Sequence, residues 1–520
     1  MARPLALLAL ALCAPAPALG GGTTLTVDPA SVLARTGDRF ASFSFDFTAL
    51  FGVQRTAIPF TDARLRRLAR NLAPAYVRFG GSYQDRAVTT FAGVPPPIAP
   101  PPTLLQLSLN ESVFDGLVDF ASATGLDLVY GLNAAVGRQA ADGSLAPWDA
   151  ANALAPIARA VARGARVPVV ELGNEVNVFN CSTDGLAKIS AAELAAQFAT
   201  AAAAVRALDP GIRVWGSDSS ITGDIVGQCH DYYGDDIFGF NRDLFAQPGW
   251  AALLDAHTWH YYAQDSRNAT STAALILSDE YQARLTRFEG PIRALRDAAA
   301  PGLPLVLGET ASFWAGGRAN VSNRFASGFW YLPQLSTLSA LGYAAHIRQD
   351  LAGGDYGLLD LVLDAQGAVV DFAANPDYFT HALYQRLVGP AALRVNVTGD
   401  PGVRAWAACA GRAAGAARAA VTLVVLNFNA APAPITLALA GATPLTGSRG
   451  EYVLTPSDAA AGLASSGVLL NGALLAVDGD LALPPFPPAP ARASDPLVLP
   501  PLSYAFVTLD DAAAPACAAG

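Results

Sequence analysis

The 520-residue chain offers little that could bind a metal, a nucleic acid or a membrane. It holds five cysteines, and no pair has the spacing of a zinc site, so neither metal nor cofactor is expected. Basic residues are outnumbered, 33 Lys and Arg against 43 Asp and Glu, for a net charge of −10. The basic footprint that nucleic acid requires is missing, and a densely sulfated polymer is disfavoured as the main substrate. Beyond the first 20 residues no stretch sustains the about 18 uncharged apolar residues of a membrane span.

The first residues, MARPLALLALALCAPAPALG, combine a basic residue, an apolar run and a small-residue exit, the pattern of a secretory leader over 1–20. Four cysteines remain once Cys13 leaves with it. An even number in an oxidising compartment points to two disulfides, and position favours Cys181–Cys229 and Cys409–Cys517. Glycosylation acceptor tripeptides start at Asn110, Asn268, Asn320 and Asn396; a fifth starts at Asn180, beside one expected bridge. The expected destination is the cell exterior or wall, or an acidic vacuole or lysosome.

Length implies two domains. Eight apolar runs alternate with alanine-rich helical stretches: FSFDF, AYVRFGG, LDLVYGLN, PVVELGNE, RVWGSDS, LDAHTWHYY, LPLVLGET and AAHIRQ. Nearly all end in polar residues, among them Asp46, Arg78, Asn133, Asp218, His260 and Gln349. One polar cap per strand is the pattern of a (β/α)8 TIM barrel with a polar top face, expected over 41–375. Any single cap, such as Asn133 or Asp218, is equally at home at a helix start. After about residue 375 short β-rich runs between Gly, Pro and Asn describe an attached C-terminal β-sandwich. That domain is expected over 376–520, with 23–40 joining it.

Two glutamates carry the chemistry. Glu175 follows PVVELGN and Glu309 ends LPLVLG, which places them on the fourth and seventh strands across the barrel mouth. Paired carboxylates there are what glycosidic cleavage requires: one donates a proton, the other attacks or stabilises the anomeric carbon. The amide of Asn174 can bond a sugar 2-hydroxyl, and Arg78, His260 and Tyr262 are the candidate donors to Glu309. Carboxylates about 5–5.5 Å apart would mean retention, and a wider gap inversion.

The segments AYVRFGGSYQD, ELGNEVN, LGETASFWAGG and RQDLAGGDYGLLD resemble the heparanase-like enzymes of glycoside hydrolase family 79. GGRANVSNRFASGFWYLPQLSTL is similar to plant-type members, and the likeness runs through the closing LSYAFVTLDDAAAPAC. The resemblance implies retaining hydrolysis of β-glucuronides, with Glu175 as acid/base and Glu309 as nucleophile. It further implies a carboxylate-binding wall of Gly316, Gly317, Gln349, Gly354 and Tyr356, and Asp46 on sugar hydroxyls, with His260 and Tyr262 as the family's His-x-Tyr pair. Only about forty residues separate Asp85 from Gly125, so the long excised segment of animal members has no room and a single-chain enzyme is expected. Their basic heparin-contacting stretches have no counterpart, and Ala315 stands where they have glycine. The expected partner is a glucuronate-containing polysaccharide, a proteoglycan or a small glucuronide, and the chain is expected to be a monomer. Two other readings are a barrel glycosidase for another sugar, such as a xylosidase, and a non-catalytic glycan-binding relative; retention of both glutamates weighs against the latter.

Overall fold

The structure is a computed structural model that describes residues 22–53, 56–97, 106–138, 146–179, 188–222, 236–411, 419–441 and 445–518. The leader expected over 1–20, Asn180 and the Cys181–Cys229 bridge lie outside these residues.

The eight apolar runs are eight parallel strands closed into a barrel. In chain order they are Ala41–Asp46, Tyr76–Gly80, Asp127–Leu132, Val169–Leu172, Arg213–Thr222, Ala256–Tyr262, Leu305–Ala311 and Ala345–Arg348. The last strand pairs with the first through His346 and Ala41. Side chains alternate between the two faces of each strand. Tyr76, Val129, Val169, Trp215, Ala256, Val306, Ala345 and Ile347 therefore meet inside the barrel as a plug of their own. The opposite parity, with Phe43, Phe45, Val77 and Phe79, packs outward beneath the helices. Phe45 stacks on Phe79 with ring centres 5.3 Å apart and meets Phe60 and Phe120 edge-on.

The helices start and stop where local chemistry dictates. Helix Ala191–Leu208 opens on a capping box: Ser190 accepts from the Glu193 amide while the Glu193 carboxylate reaches back to the Ser190 amide. It ends before Asp209-Pro210, since the residue preceding a proline is pushed out of helical conformation. Helix Glu111–Thr124 is capped by Asn110, whose side chain accepts from the Val113 amide. No helix among the described residues is long and apolar enough to cross a membrane.

The sandwich is one continuous mixed sheet of eleven strands. The N-terminal strand Thr23–Arg35 lies within it, antiparallel to Val388–Thr398 and parallel to Ala433–Leu439. Its inner core is aliphatic, with Leu25, Val27, Leu423, Val425, Ile435, Leu497 and Val507, and Cys409 is bonded to Cys517. The two domains share buried surface. Phe325 stacks on Tyr504 at 4.7 Å and Phe329 meets Phe428 and Tyr504 edge-on. Gly328 leaves room for that ring, because a Cβ there would fall 2.4 Å from Tyr504 Cζ. The sheet thus braces one flank of the barrel and leaves the strand ends that carry Glu175 and Glu309 to the site.

Candidate active site

Arg78 stands inward on the second strand and is fully buried. Its guanidinium addresses three acceptors at once: Nε donates to Glu171 Oε2 at 2.7 Å, Nη1 to Glu309 Oε2 at 2.8 Å and Nη2 to Asn174 Oδ1 at 2.9 Å. The other oxygen of Glu309 accepts from the Tyr262 hydroxyl at 2.7 Å. Two of the three candidate donors thus hold Glu309. The third, His260, belongs elsewhere: its Nδ1 lies 3.1 Å from Glu175 Oε1, and its Nε2 faces Asp218 at 3.6 Å.

Glu309 reaches the barrel interior through a local irregularity. Val306 faces the plug, so strict alternation would turn Gly308 inward. The register of the seventh strand against the sixth shifts between Leu307 and Glu309, so Glu309 lies opposite His260. Such a bulge re-aims a side chain. The fifth strand does the same between Ser217 and Ser219, with Asp218 in left-handed backbone at φ 53. Glu175 sits just past its strand, also left-handed at φ 55, its amide donating to the Asp218 carbonyl at 2.8 Å. Single oxygens of Glu175 and Glu309 and a ring nitrogen of His260 all lie within 4.8 Å of one another.

Charge sets the protonation of this cluster. Burial alone would push the His260 imidazole down, but Glu309, Asp218 and Glu175 raise it to about 9. Burial opposes ionisation of Asp218, yet His260 and Arg78 hold its carboxyl below the ordinary range. Glu171 is raised to about 8 by burial and by Asp218. Asp85 is raised to about 7, chiefly by burial, against the amides of Ala134 and Asn174 that it accepts. Glu175, His260 and Glu309 are the one trio among the described residues spaced to hold a metal ion. Both Glu309 oxygens already accept hydrogen bonds, and a cation would have to displace a guanidinium and the imidazolium proton. The trio suits proton transfer better than metal binding.

The residues expected to line the sugar site fall in two groups, apart from Asn174. Asp46 Oδ1 accepts from the amide and hydroxyl of Thr48, and its Oδ2 accepts from Gln349 Nε2 at 3.2 Å. Gln349 in turn accepts from the Ser44 hydroxyl. These form a polar wall on the first and eighth strands. Gly316 and Gly317 are left-handed at φ 94 and 85, and a Cβ on Gly317 would come within 2.6 Å of the Tyr356 amide nitrogen. The glycine loop therefore lies against Tyr356, and Gly354 sits two residues before it. The Asn174 oxygen is occupied by Arg78 and the Gly81 amide, which turns its Nδ2 to other acceptors. Asn133 is a turn residue, its oxygen capping the amides of Ala135 and Val136. Asn110, Asn268, Asn320 and Asn396 are exposed.

Glu171 and Asp85 were not among the residues singled out from the sequence. The signal for Glu171 was a charge inside the otherwise apolar VVEL strand. Asp85 gave none, because its partners at Ala134 and Asn174 are distant in sequence.

Comparisons with known proteins agree with this geometry. The profile described as glycosyl hydrolase family 79, N-terminal domain, matches residues 55–336. Heparanase of Mus musculus is 28% identical over 505 residues, covering 87% of this chain and 87% of that protein. Baicalin-beta-D-glucuronidase of Scutellaria baicalensis is 30% identical over 260 residues, 49% of this chain and 46% of that one. Among solved structures, a 4-O-alpha-L-rhamnosyl-beta-D-glucuronidase from Fusarium oxysporum superposes with a TM-score of 0.64 at 18% identity, covering 94% of this chain and 100% of that one. The family profile spans more than half of the chain, and the chain belongs to glycosyl hydrolase family 79 as a TIM-barrel glycosidase.

Proposed function

We propose that the protein is a secreted retaining β-glucuronidase, with Glu309 as nucleophile and Glu175 as acid/base. The observation that carries this reading is the approach of the two carboxylates to within 4.8 Å. That spacing suits direct attack and falls short of the wider gap in which an inverting pair seats the sugar and an attacking water together. Glu309 attacks the anomeric carbon while Glu175 protonates the departing glycosidic oxygen, so one C–O bond breaks as another forms. Glu175 then takes a proton from water, which displaces Glu309 and restores the starting anomer. Arg78 and Tyr262 keep Glu309 oriented as an acceptor-only carboxylate.

Specificity for glucuronate is supported by the left-handed glycines beside Tyr356, where backbone amides can approach a carboxylate closely. The glucuronidase named among the relatives supports the same substrate class. Secretion rests on the leader pattern and the bonded pair Cys409–Cys517. The test is turnover of aryl β-glucuronide, β-glucoside and β-xyloside side by side, with Glu309→Gln as control and NMR of the first-formed anomer. The expected result is preference for the glucuronide, initial release of the β-anomer and an inactive variant. Preference for a neutral sugar would refute the specificity, and an initial α-anomer would refute retention.

A further inference from the structure

Glu171 is a buried carboxylate that bond cleavage does not use. It faces inward on the fourth strand, one layer below the catalytic pair, and is fully buried. The ionisable groups facing it are Arg78, Asp218 and His260. As a counter-ion it is superfluous, since Glu309 and Asp218 already flank Arg78 at 2.8 Å and 3.9 Å. A further buried carboxylate adds desolvation cost and repulsion. Its contribution is geometric. A guanidinium is planar, with donors in a rigid fork. Holding Nε on Glu171 at 2.7 Å fixes that plane, and with it the aim of Nη1 at Glu309 and of Nη2 at Asn174. Without the anchor, a buried Nε–H loses its acceptor and the fork can swing about the end of its side chain.

We infer that Glu171 is a positioning residue for the nucleophile, acting through Arg78 to fix where Glu309 and Asn174 sit against the sugar. This rests on the reading of Glu309 as nucleophile. Burial favours the neutral form of Glu171, so an amide that keeps one oxygen for Nε is a close replacement, whereas an apolar side chain is not.

Glu171→Gln and Glu171→Leu, each checked for folding by circular dichroism, separate these roles. Glu171→Gln is expected to lose less than about tenfold in kcat, and Glu171→Leu about 100-fold, with KM little changed. In Glu171→Leu alone the acidic limb of the kcat/KM profile is expected to move, because Arg78 no longer holds its place. Wild-type kcat and an unmoved limb in Glu171→Leu would overturn the inference, as would equal damage in both variants. If the wild type prefers another β-glycoside, the glucuronate reading fails and the same comparison is made on that substrate. A thermal cycle of Glu171→Leu, Glu309→Gln and the double variant needs no turnover. Because both sites act on Arg78, the double shift in Tm should depart from the sum of the single shifts by about 1 °C or more. Additive shifts would overturn the inference.

Discussion

The barrel mouth and the sandwich core solve opposite problems with the same chain. The sandwich buries Leu, Val and Ile around a closed disulfide, and nothing in that cluster can titrate between pH 3 and 9. The barrel mouth buries Arg78, Glu171, Asp218 and His260 together, with none of them exposed. Burying charge is costly unless each group is paired, and here one guanidinium and one imidazolium sit among several carboxylates. The lesson is that the barrel accepts a locally unfavourable cluster in order to hold two glutamates close together. The apolar barrel plug and the sandwich supply the stability that the cluster does not.

The sharpest way to break this contrast is at the chemistry. Glu309→Gln should lower kcat by about 10⁴-fold or more while leaving Tm near the wild type, measured by aryl glycoside turnover and calorimetry. A small kinetic effect would return the mouth to the status of a structural cluster. Next in size is Arg78→Met, which leaves Glu309 without its cation and Glu171 and Asn174 without their buried donor. A loss of about 3–5 kcal/mol is expected in denaturant unfolding, together with loss of turnover. The paired substitution Cys409→Ser with Cys517→Ser tests the other region. The bridge closes a separation of 108 residues, so about 2–5 kcal/mol of stability should go, with kcat at 25 °C unchanged.

Acid should expose the barrel first. His257, His346 and His381 are buried in or beside the barrel, and burial lowers each to about 3. The unfolded chain binds those protons near pH 6.5 and the folded chain only near 3. Stability is therefore complete above pH 6.5 and falls as pH drops towards 3. His260 has the opposite sign: raised to about 9, it contributes fully below pH 6.5 and is lost as pH rises through 9. Glu171 and Asp85, raised to about 8 and 7, oppose the histidines between pH 7 and 4, so the decisive window is pH 4 to 3, and a Tm that did not fall there would contradict this assignment. The smallest effect sharpens the glycine loop. Ala315 is left-handed at φ 59, a conformation costing about 1–2 kcal/mol for a residue with a Cβ. Ala315→Gly should raise Tm by about 1–2 °C, read by calorimetry, part of the gain being offset by glycine's looser unfolded chain.

Much of the fold was legible because its signals are local. The eight strand runs and the alanine-rich helical stretches between them carry their own periodicity. The glutamate pair was legible for the same reason, each closing an apolar run. What stayed hidden depends on closure. His260 lies opposite Glu309 on the neighbouring strand, yet its Nδ1 meets Glu175 across the fifth strand, a choice that only the packing inside the closed barrel makes. Asp85 links Ala134 to Asn174, residues that meet only when the second, third and fourth strands lie side by side.

The amino-acid order alone determined the barrel, the β-rich tail and the identity of the two carboxylates, since hydrophobic period and strand-end polarity act over a few residues. Only the tertiary structure decided that Glu309 looks inward. The parity of its strand favours Gly308, and the bulge that reverses it is set by register against the sixth strand. Register across a closed sheet is a property of the whole barrel, because every strand must match two neighbours at once.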